Sequence, residues 1–316
     1  MTKIHIVSLA AIGLLSGLPL QALADDTLFT ASNDMFTISG SVGLANISGG
    51  EYVYSGSHKM SQLDWESTGV TLYTAEIGAD VDKNWSVKAK FSAGFGGDGH
   101  MVDYDWMSET HDEWSDRSVH PDTELAHYFT GSIEIDRDVY SNETTTLALG
   151  AGFRYSDVKW DAYGGSYIYS SGDPDFRDLV GEFPDGEQGI SYQQKIPVGF
   201  LAANVEHTAG RFSFTGGLQG GLSFGIDDID DHWMRSARFY DYMDAAPTIA
   251  LNLGANYALT PSAAVYVSGS FERVFHAKGS MDMYDTTTGD LIASEDNAAG
   301  ATFQAMSISV GLKGTF

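Results

Sequence analysis

The chain has 316 residues, no cysteine and a formal net charge of −26 at pH 7. Such an acidic chain disfavours nucleic acid and anionic lipid as general partners and favours cationic ones. Many exported bacterial proteins lack cysteine, so this absence says little about the fold.

The first residues have the pattern of a secretory signal. Lys3 is followed by an apolar run over residues 4–20 and by the small-x-small cleavage pattern Ala22-Leu23-Ala24. We therefore predict a signal peptide over residues 1–24 and a mature chain, one unit more negative, that begins at Asp25. The run is shorter than the ~20 residues of a membrane-spanning helix, and no later stretch is long and apolar enough to be one. Any membrane residence must then be as a β-barrel.

Apolar residues recur at every second position through most of the mature chain. The last such stretch places Met306, Ile308 and Leu312 on one side. Because successive side chains of a β-strand point to opposite faces, the pattern predicts strands with one apolar and one polar face. Ten strands are predicted, near residues 36–54, 58–81, 85–95, 125–137, 144–168, 188–207, 211–226, 240–257, 263–276 and 301–316.

Short turn segments alternate with long polar ones between these strands. The turns fall near residues 82–84, 139–142, 208–210 and 260–262, and the long segments near 96–124, 169–186, 227–245 and 278–300. An even strand number, short turns at one end and long loops at the other are typical of outer-membrane barrels. We predict one all-β domain over residues 25–316, a ten-stranded antiparallel transmembrane β-barrel with long extracellular loops. The alternative is a soluble exported β-sandwich.

Two acidic clusters lie in the long polar segments. Asp103 and Asp105 are two residues apart, and so are Asp228, Asp230 and His232 in succession. In an extended chain, each set shares one face. A carboxylate can orient an imidazole, and a carboxylate pair can position and deprotonate water, so the clusters indicate a hydrolytic site. A metal site is the rival chemistry, but neither a His-Glu-x-x-His motif nor a calcium-loop spacing is present, so we predict none.

Several blocks of sequence, in the same order along the chain, resemble the omptin family of outer-membrane endopeptidases. Residues 99–107 (GHMVDYDWM) and 120–123 (HPDT) resemble its signatures. Residues 164–171 (GGSYIYSS), followed by 176–178 (FRD), resemble its third long segment, and residues 61–65 (SQLDW) and 311–316 (GLKGTF) also fit. The resemblance implies a ten-stranded outer-membrane barrel whose site opens to the cell exterior.

The resemblance also implies roles for the acidic clusters. Asp230 and His232 would form the family's dyad, and Asp103 with Asp105 its aspartate pair, with a water between them as nucleophile. The family cleaves beside basic residues, and its acidic specificity pocket corresponds to Glu51 and Asp228. The implied function is an aspartyl-type endopeptidase acting on cationic peptides or proteins at the cell surface, with no cofactor.

Two other functions remain open for the same barrel. A non-catalytic adhesin or invasin could bind cationic host proteins through acidic loops, and a porin would need no Asp/His constellation. The physiological substrate and the oligomeric state are not determined by the sequence. His120 could tune the site or anchor a loop, whereas Asp64, Asp122, Tyr167 and Tyr169 are interpreted as polar lumen residues and an interfacial aromatic girdle.

Lipid binding is where the chain departs from the family, which requires lipopolysaccharide held by basic residues on the outer wall. Asp157 stands where one of these residues is expected, and another is missing near Asp244. Lys195 preserves one basic position, and Arg154 or Lys159 could substitute for the rest. The sequence therefore leaves open whether lipopolysaccharide activates this chain.

Overall fold

The computed structural model describes residues 36–172 and 175–316, so the predicted signal peptide lies outside the described residues. Within them the chain is almost entirely β-strand. The strands are β1 (Phe36–Ser55), β2 (His58–Asp80), β3 (Trp85–Phe95), β4 (Asp98–Asp105), β5 (Asp116–Ser141), β6 (Thr145–Tyr163), β7 (Ser166–Tyr169), β8 (Leu179–Glu182), β9 (Gln188–Ala209), β10 (Phe212–Ser223), β11 (Asp227–His232), β12 (Ala237–Met243), β13 (Ala246–Thr260), β14 (Ala263–Asp285) and β15 (Leu291–Thr315).

Ten of these strands close into an antiparallel ring. In order around the ring they are β1, β2, β3, β5, β6, β9, β10, β13, β14 and β15, and the ring closes where β15 pairs with β1. Closure leaves no unpaired sheet edge in this part of the barrel. The predicted ten-stranded antiparallel barrel is confirmed.

The alternation in the sequence becomes the two faces of the barrel wall. On β15, Met306, Ile308, Val310 and Leu312 are exposed on the outside, while Ser309 between them is buried inside. The other long strands present similar exposed apolar residues. An outer apolar band around a polar interior is what a lipid-embedded barrel requires.

At one end the long strands are joined by short turns, and at the other they extend well beyond the apolar band. In this extended part, the strand ends at three positions of the ring and a different strand takes its place. β4 continues the position of β3, pairing with β2 and β5; β11 continues that of β10, and β12 that of β13. Gly97 precedes β4 with a φ of 96°, and a Cβ there would lie 2.7 Å from the carbonyl oxygen of Thr68. The interruptions therefore separate β4 and β11, the strands that carry the acidic clusters, from the membrane-spanning strands whose positions they continue.

The strand prediction differs from the structure mainly in these extensions. The segment predicted as one strand over 240–257 is β12 and β13, divided after Met243, and β5 begins at Asp116 instead of near residue 125. Much of the long polar segments is paired strand, because polar alternation outside the membrane lacks the apolar signal used to predict strands. Among the described residues, no helix is long and apolar enough to cross a membrane.

The interior of the barrel has two levels. Within the apolar band lies a polar cavity of about 590 Å³ whose lining includes Arg154 and Glu272, paired at 2.8 Å. Above it, Trp65, Trp160 and Tyr192 are fully buried and stack with ring centroids 5.7 to 6.3 Å apart. This aromatic layer forms an apolar floor for the part of the barrel beyond the membrane.

Candidate active site

The first element of the site is the pair Asp230 and His232 on β11. Nε2 of His232 lies 2.6 Å from Oδ2 of Asp230, and both residues are buried. A carboxylate can only accept, so Nε2 carries the hydrogen and Nδ1 is the basic nitrogen. Phe239 of β12, opposite Asp230 in register, packs edge-on against the imidazole with ring centroids 5.5 Å apart. The ring is thus oriented from two sides.

The second element is the aspartate pair on β4. Asp103 and Asp105 are half-buried and share one face of the strand. Ser61 of β2 donates to Oδ1 of Asp103 at 3.2 Å. Desolvation raises the pKa of both carboxyls, and each is raised further by a neighbouring carboxylate, Asp103 by Asp105 and Asp105 by Asp116. Such a pair retains a proton to higher pH than an ordinary aspartate.

The two pairs face each other across the interior. After desolvation and the nearer groups, the charge of Asp230 also raises the pKa of Asp103, and the charge of His232 lowers that of Asp105. β4 and β11 belong to opposite walls of the ring, so the space between them is a cleft. The structure thus brings together all four residues that the sequence identifies as catalytic candidates.

The two predicted specificity residues lie at the bottom of the same cleft. Glu51 of β1 is 2% exposed and Asp228 of β11 is 1% exposed. Burial raises the pKa of Asp228 to about 8, against the effect of its hydrogen bonds, while burial and the charges of Asp230, Asp241 and Asp228 raise that of Glu51. Glu51 is within hydrogen-bond reach of Asp230, so the predicted specificity pocket adjoins the dyad.

The aromatic floor holds Asp228 in place. The hydroxyl of Tyr192 donates to Oδ2 of Asp228 at 2.6 Å and accepts from Nε2 of Gln194 at 2.8 Å. Gln194 also donates to the carbonyl of Thr302 at 3.2 Å. The other oxygen of Asp228 has no partner among the described residues and remains available to a ligand. The sequence did not predict the contacts to Asp228 and Thr302, because they join strands that are separated in the chain.

Two further side chains of the cleft were missed from the sequence. Asp241 of β12 lies opposite Asp228 in register and is 3% exposed. Arg235, in the 3₁₀ turn Trp233–Arg235 after β11, contacts Nδ1 of His232 and lies 3.2 Å from its Nε2. Its charge also acts on Asp103 and Asp105. Nothing in the local sequence distinguishes these residues from the polar residues around them.

The structure also bears on two interpretations of nearby residues. Tyr169 of β7 is not part of a membrane-interface girdle, because it lies near the aspartate pair; burial, then Asp103 and Asp105, raise its pKa to about 12. His120 is buried, with Nε2 2.9 Å from Ser118 Oγ, and its ring stacks on Phe183. This packing agrees with the role of an anchor for the segment around Phe183.

The outer wall above the apolar band carries most of the residues that the sequence suggests for lipid binding. Asp157 of β6 accepts hydrogen bonds from His127 and Gln193, at 2.9 and 2.7 Å, and Lys195 lies opposite it in register. Lys159 lies 3.6 Å from Asp161. The expectation that Arg154 could substitute on this wall is wrong. Its side chain points into the lumen, where Gln219 and Glu272 bind the guanidinium.

A closed ten-stranded barrel with an outer apolar band and a cluster of buried acids above it defines an outer-membrane protein with a site at one end. Comparison with known proteins agrees. The model of the Omptin family matches residues 32–316. The plasminogen activator of Yersinia pestis is 27% identical over the full length of both chains. Protease 7 of Escherichia coli (strain K12) is 31% identical, covering 91% of this chain and 92% of that one.

A solved structure gives the same result. The crystal structure of the outer membrane protease OmpT from Escherichia coli superposes with a TM-score of 0.84 at 30% identity, covering 90% of this chain and 97% of that one. The chain therefore belongs to the Omptin family, and it is an outer-membrane protease acting on peptides or proteins. The family resemblance and the outer-membrane location deduced from the sequence are both confirmed.

Proposed function

We propose that this protease is an aspartyl-type endopeptidase that cleaves next to basic residues. In the proposed reaction, a water molecule between the dyad and the aspartate pair attacks the scissile carbonyl. The observation that carries the proposal is the 2.6 Å contact between Asp230 and His232, set opposite two half-buried aspartates. The cleft has its open end at the side of the long strand extensions, so the site faces the cell exterior.

The dyad supplies the base. Asp230 holds Nε2–H of His232, so Nδ1 accepts the proton as water attacks, and the imidazolium formed is stabilised by the Asp230 carboxylate. The aspartate pair acts on the other side of the water. A proton retained by Asp103 or Asp105 can be donated to the carbonyl oxygen as charge develops there, while the ionised partner orients the water. The water oxygen forms the new bond to carbon. When the tetrahedral intermediate collapses, the C–N bond breaks, the amine leaves with the proton that His232 returns, and the new carboxyl group gives a proton back to the aspartate pair.

Arg235 must leave the imidazole for this step to occur. A guanidinium has donors only, so its contact with Nδ1 occupies the lone pair that takes the proton from water. Arg235 lies in a one-turn 3₁₀ segment whose other residues, Trp233 and Met234, are partly exposed, so its side chain can turn outward without unpacking the barrel.

Substrate preference follows from the pocket beside the dyad. Glu51 and Asp228 are buried acids, each with an oxygen that has no partner among the described residues. A lysine or arginine side chain brings the charge and hydrogens that these oxygens lack, which offsets the cost of removing the charges from water. Cationic peptides and proteins are therefore the proposed substrates.

We also propose that lipopolysaccharide is not strictly required. Asp157 already accepts hydrogen bonds from His127 and Gln193, and its negative charge would repel a phosphate group. The remaining cations on this wall, Lys159 and Lys195, each have an acid as a close neighbour.

Cleavage of matched peptides by refolded protein tests the proposed function. Peptides identical except for one arginine, lysine or citrulline at the cut would be digested with and without lipopolysaccharide. Citrulline keeps the shape of arginine but has no charge. Cleavage beside arginine and lysine, with citrulline much slower, supports the proposal. Equal cleavage of all three peptides would contradict the basic preference, and no cleavage under any condition would favour the binding-only alternative.

A further inference from the structure

Asp241 is a buried acid that the proposed reaction does not use. It lies on β12, opposite Asp228 on β11 and Met281 on β14. Directly opposed residues of an antiparallel pair project from the same face, so the side chains of Asp241 and Asp228 are neighbours. β12 enters the ring only above the membrane, where it takes over the position of β13. The carboxyl is therefore placed at the level of the cleft and not in the lumen below it.

The surroundings of Asp241 are acidic and contain no compensating cation among the described residues. Burial, and then the charges of Asp228, Asp230 and Asp282, raise its pKa. Its Oδ1 has no hydrogen-bond partner in the described chain, as is also true of one oxygen each of Glu51 and Asp228. In the part of the chain that the structure describes, none of these three acids forms an ion pair with lysine, arginine or histidine. Each is at most 3% exposed.

Three such carboxyls in one pocket lower the stability of the protein when no ligand is bound. A buried charge without a partner is strongly destabilising, and a buried polar atom without a hydrogen bond is costly even when neutral. Folding alone gives no reason to place a third acid here, because an apolar residue would pack at lower cost. A ligand that brings positive charge and several hydrogen-bond donors removes the penalty. A guanidinium has five N–H donors and an ammonium has three.

We propose that Asp241 is a specificity-determining residue of this protease, the third carboxylate, with Glu51 and Asp228, of the pocket that receives the cationic side chain of the substrate. This inference rests on the proposed preference for basic residues and assigns that preference to one residue more than the family resemblance does. Asp241 acts on substrate binding and takes no part in proton transfer.

Replacing Asp241 by asparagine tests the proposal with little change in shape. In Asp241→Asn, kcat/KM for the arginine peptide should fall about 10- to 100-fold, mainly through KM, because the cation loses one charged partner. Cleavage of the citrulline peptide should change little, so the arginine-to-citrulline ratio collapses. Asp227→Asn is the matched control: it removes one acid from the neighbouring strand, but Asp227 is exposed and outside the pocket. It should keep the wild-type ratio.

A wild-type ratio in Asp241→Asn, with a collapsed ratio in Asp228→Asn, would overturn the role of Asp241 and leave the basic preference intact. An equal loss on both peptides would make Asp241 a structural residue and also overturn the proposal. If the wild-type protein itself does not distinguish arginine from citrulline, the proposed function fails first. Asp241→Ser serves as a second variant, and resistance to cold SDS shows that each barrel is folded.

Discussion

Nε2 of His232 lies 2.6 Å from the Asp230 carboxylate, two residues earlier on the same strand. This spacing fixes which ring nitrogen is basic, and it directs that nitrogen away from Asp230. Arg235, three residues further on, contacts the basic nitrogen. The short segment from Asp228 to Arg235 thus contains the proposed specificity acid, the Asp–His pair and a cation that contacts the proposed base. Changes to these groups, and to the groups that face them, should alter catalysis in distinct ways.

The aspartate pair should be needed for turnover and not for folding. Asp103→Asn and Asp105→Asn each remove a carboxylate that positions water or transfers a proton, a contribution of roughly 10²–10⁴-fold. We expect kcat for the arginine peptide to fall by that order, with KM changed much less. Asp98→Asn, an exposed acid at the start of the same strand, is the control. Near wild-type kcat in both pair variants would remove them from the mechanism.

Selectivity for a basic residue should depend on pH through Asp228. Its pKa of about 8 means that the empty pocket holds a proton at neutral pH, and a cationic side chain binds best once that proton is lost. The arginine-to-citrulline ratio of kcat/KM should therefore rise with pH and level off above about 8. Using a ratio cancels titration of the catalytic groups. In Asp228→Asn the ratio should be low and nearly flat, whereas a rise identical to wild type would assign the titration elsewhere.

Removing the guanidinium of Arg235 should free the catalytic base. Arg235→Ala leaves Nδ1 of His232 open to water, so we expect faster cleavage of the citrulline peptide, by several-fold. Arg238→Ala is the control, because Arg238 is bound to Asp231 at 2.6 Å instead of lying in the cleft. Slower turnover in Arg235→Ala, with Arg238→Ala unaffected, would show that Arg235 assists the reaction.

Lipopolysaccharide should activate this chain weakly or not at all. Titration into detergent-refolded protein, followed by peptide cleavage, should change the rate little, because the outer wall offers Asp157 where a cation would be needed. Any activation that does occur should disappear in the Lys159→Ala, Lys195→Ala double variant. A strict requirement for the lipid that survives in the double variant would contradict this view of the outer wall.

The barrel was predictable from the sequence because its signal is physical and local. Alternation in the membrane is enforced by lipid on one side of the wall and water on the other. The polarity of residues such as Ile308 and Ser309 therefore indicates the face on which each side chain lies. The dyad and the aspartate pair were predictable for a similar reason, since residues two apart on a strand must share a face. To predict that the members of each pair share a face, one needed only to assume that the chain is extended there.

The rest of the site depends on which strands meet. Asp241 approaches Asp228 only because β12 enters the ring above the interruption, and the prediction of one continuous strand over 240–257 hid that step. Tyr192 reaches Asp228 across 36 residues of chain. The error on Arg154 has a different origin: Leu149 and Phe153 lie on the exposed face of β6, so the alternation already places Arg154 on the inward face, and the expectation did not apply it.

In the proposed mechanism, His232, oriented by Asp230, takes the proton from the attacking water. Its most direct test is the kcat of His232→Ala on the arginine peptide, with His207→Ala as a control, an exposed histidine near the turn that joins β9 to β10. We predict a loss of roughly 10²–10⁴-fold in His232→Ala, in a barrel that folds normally and still binds the peptide, and wild-type kcat in His207→Ala. Wild-type turnover in His232→Ala would contradict it.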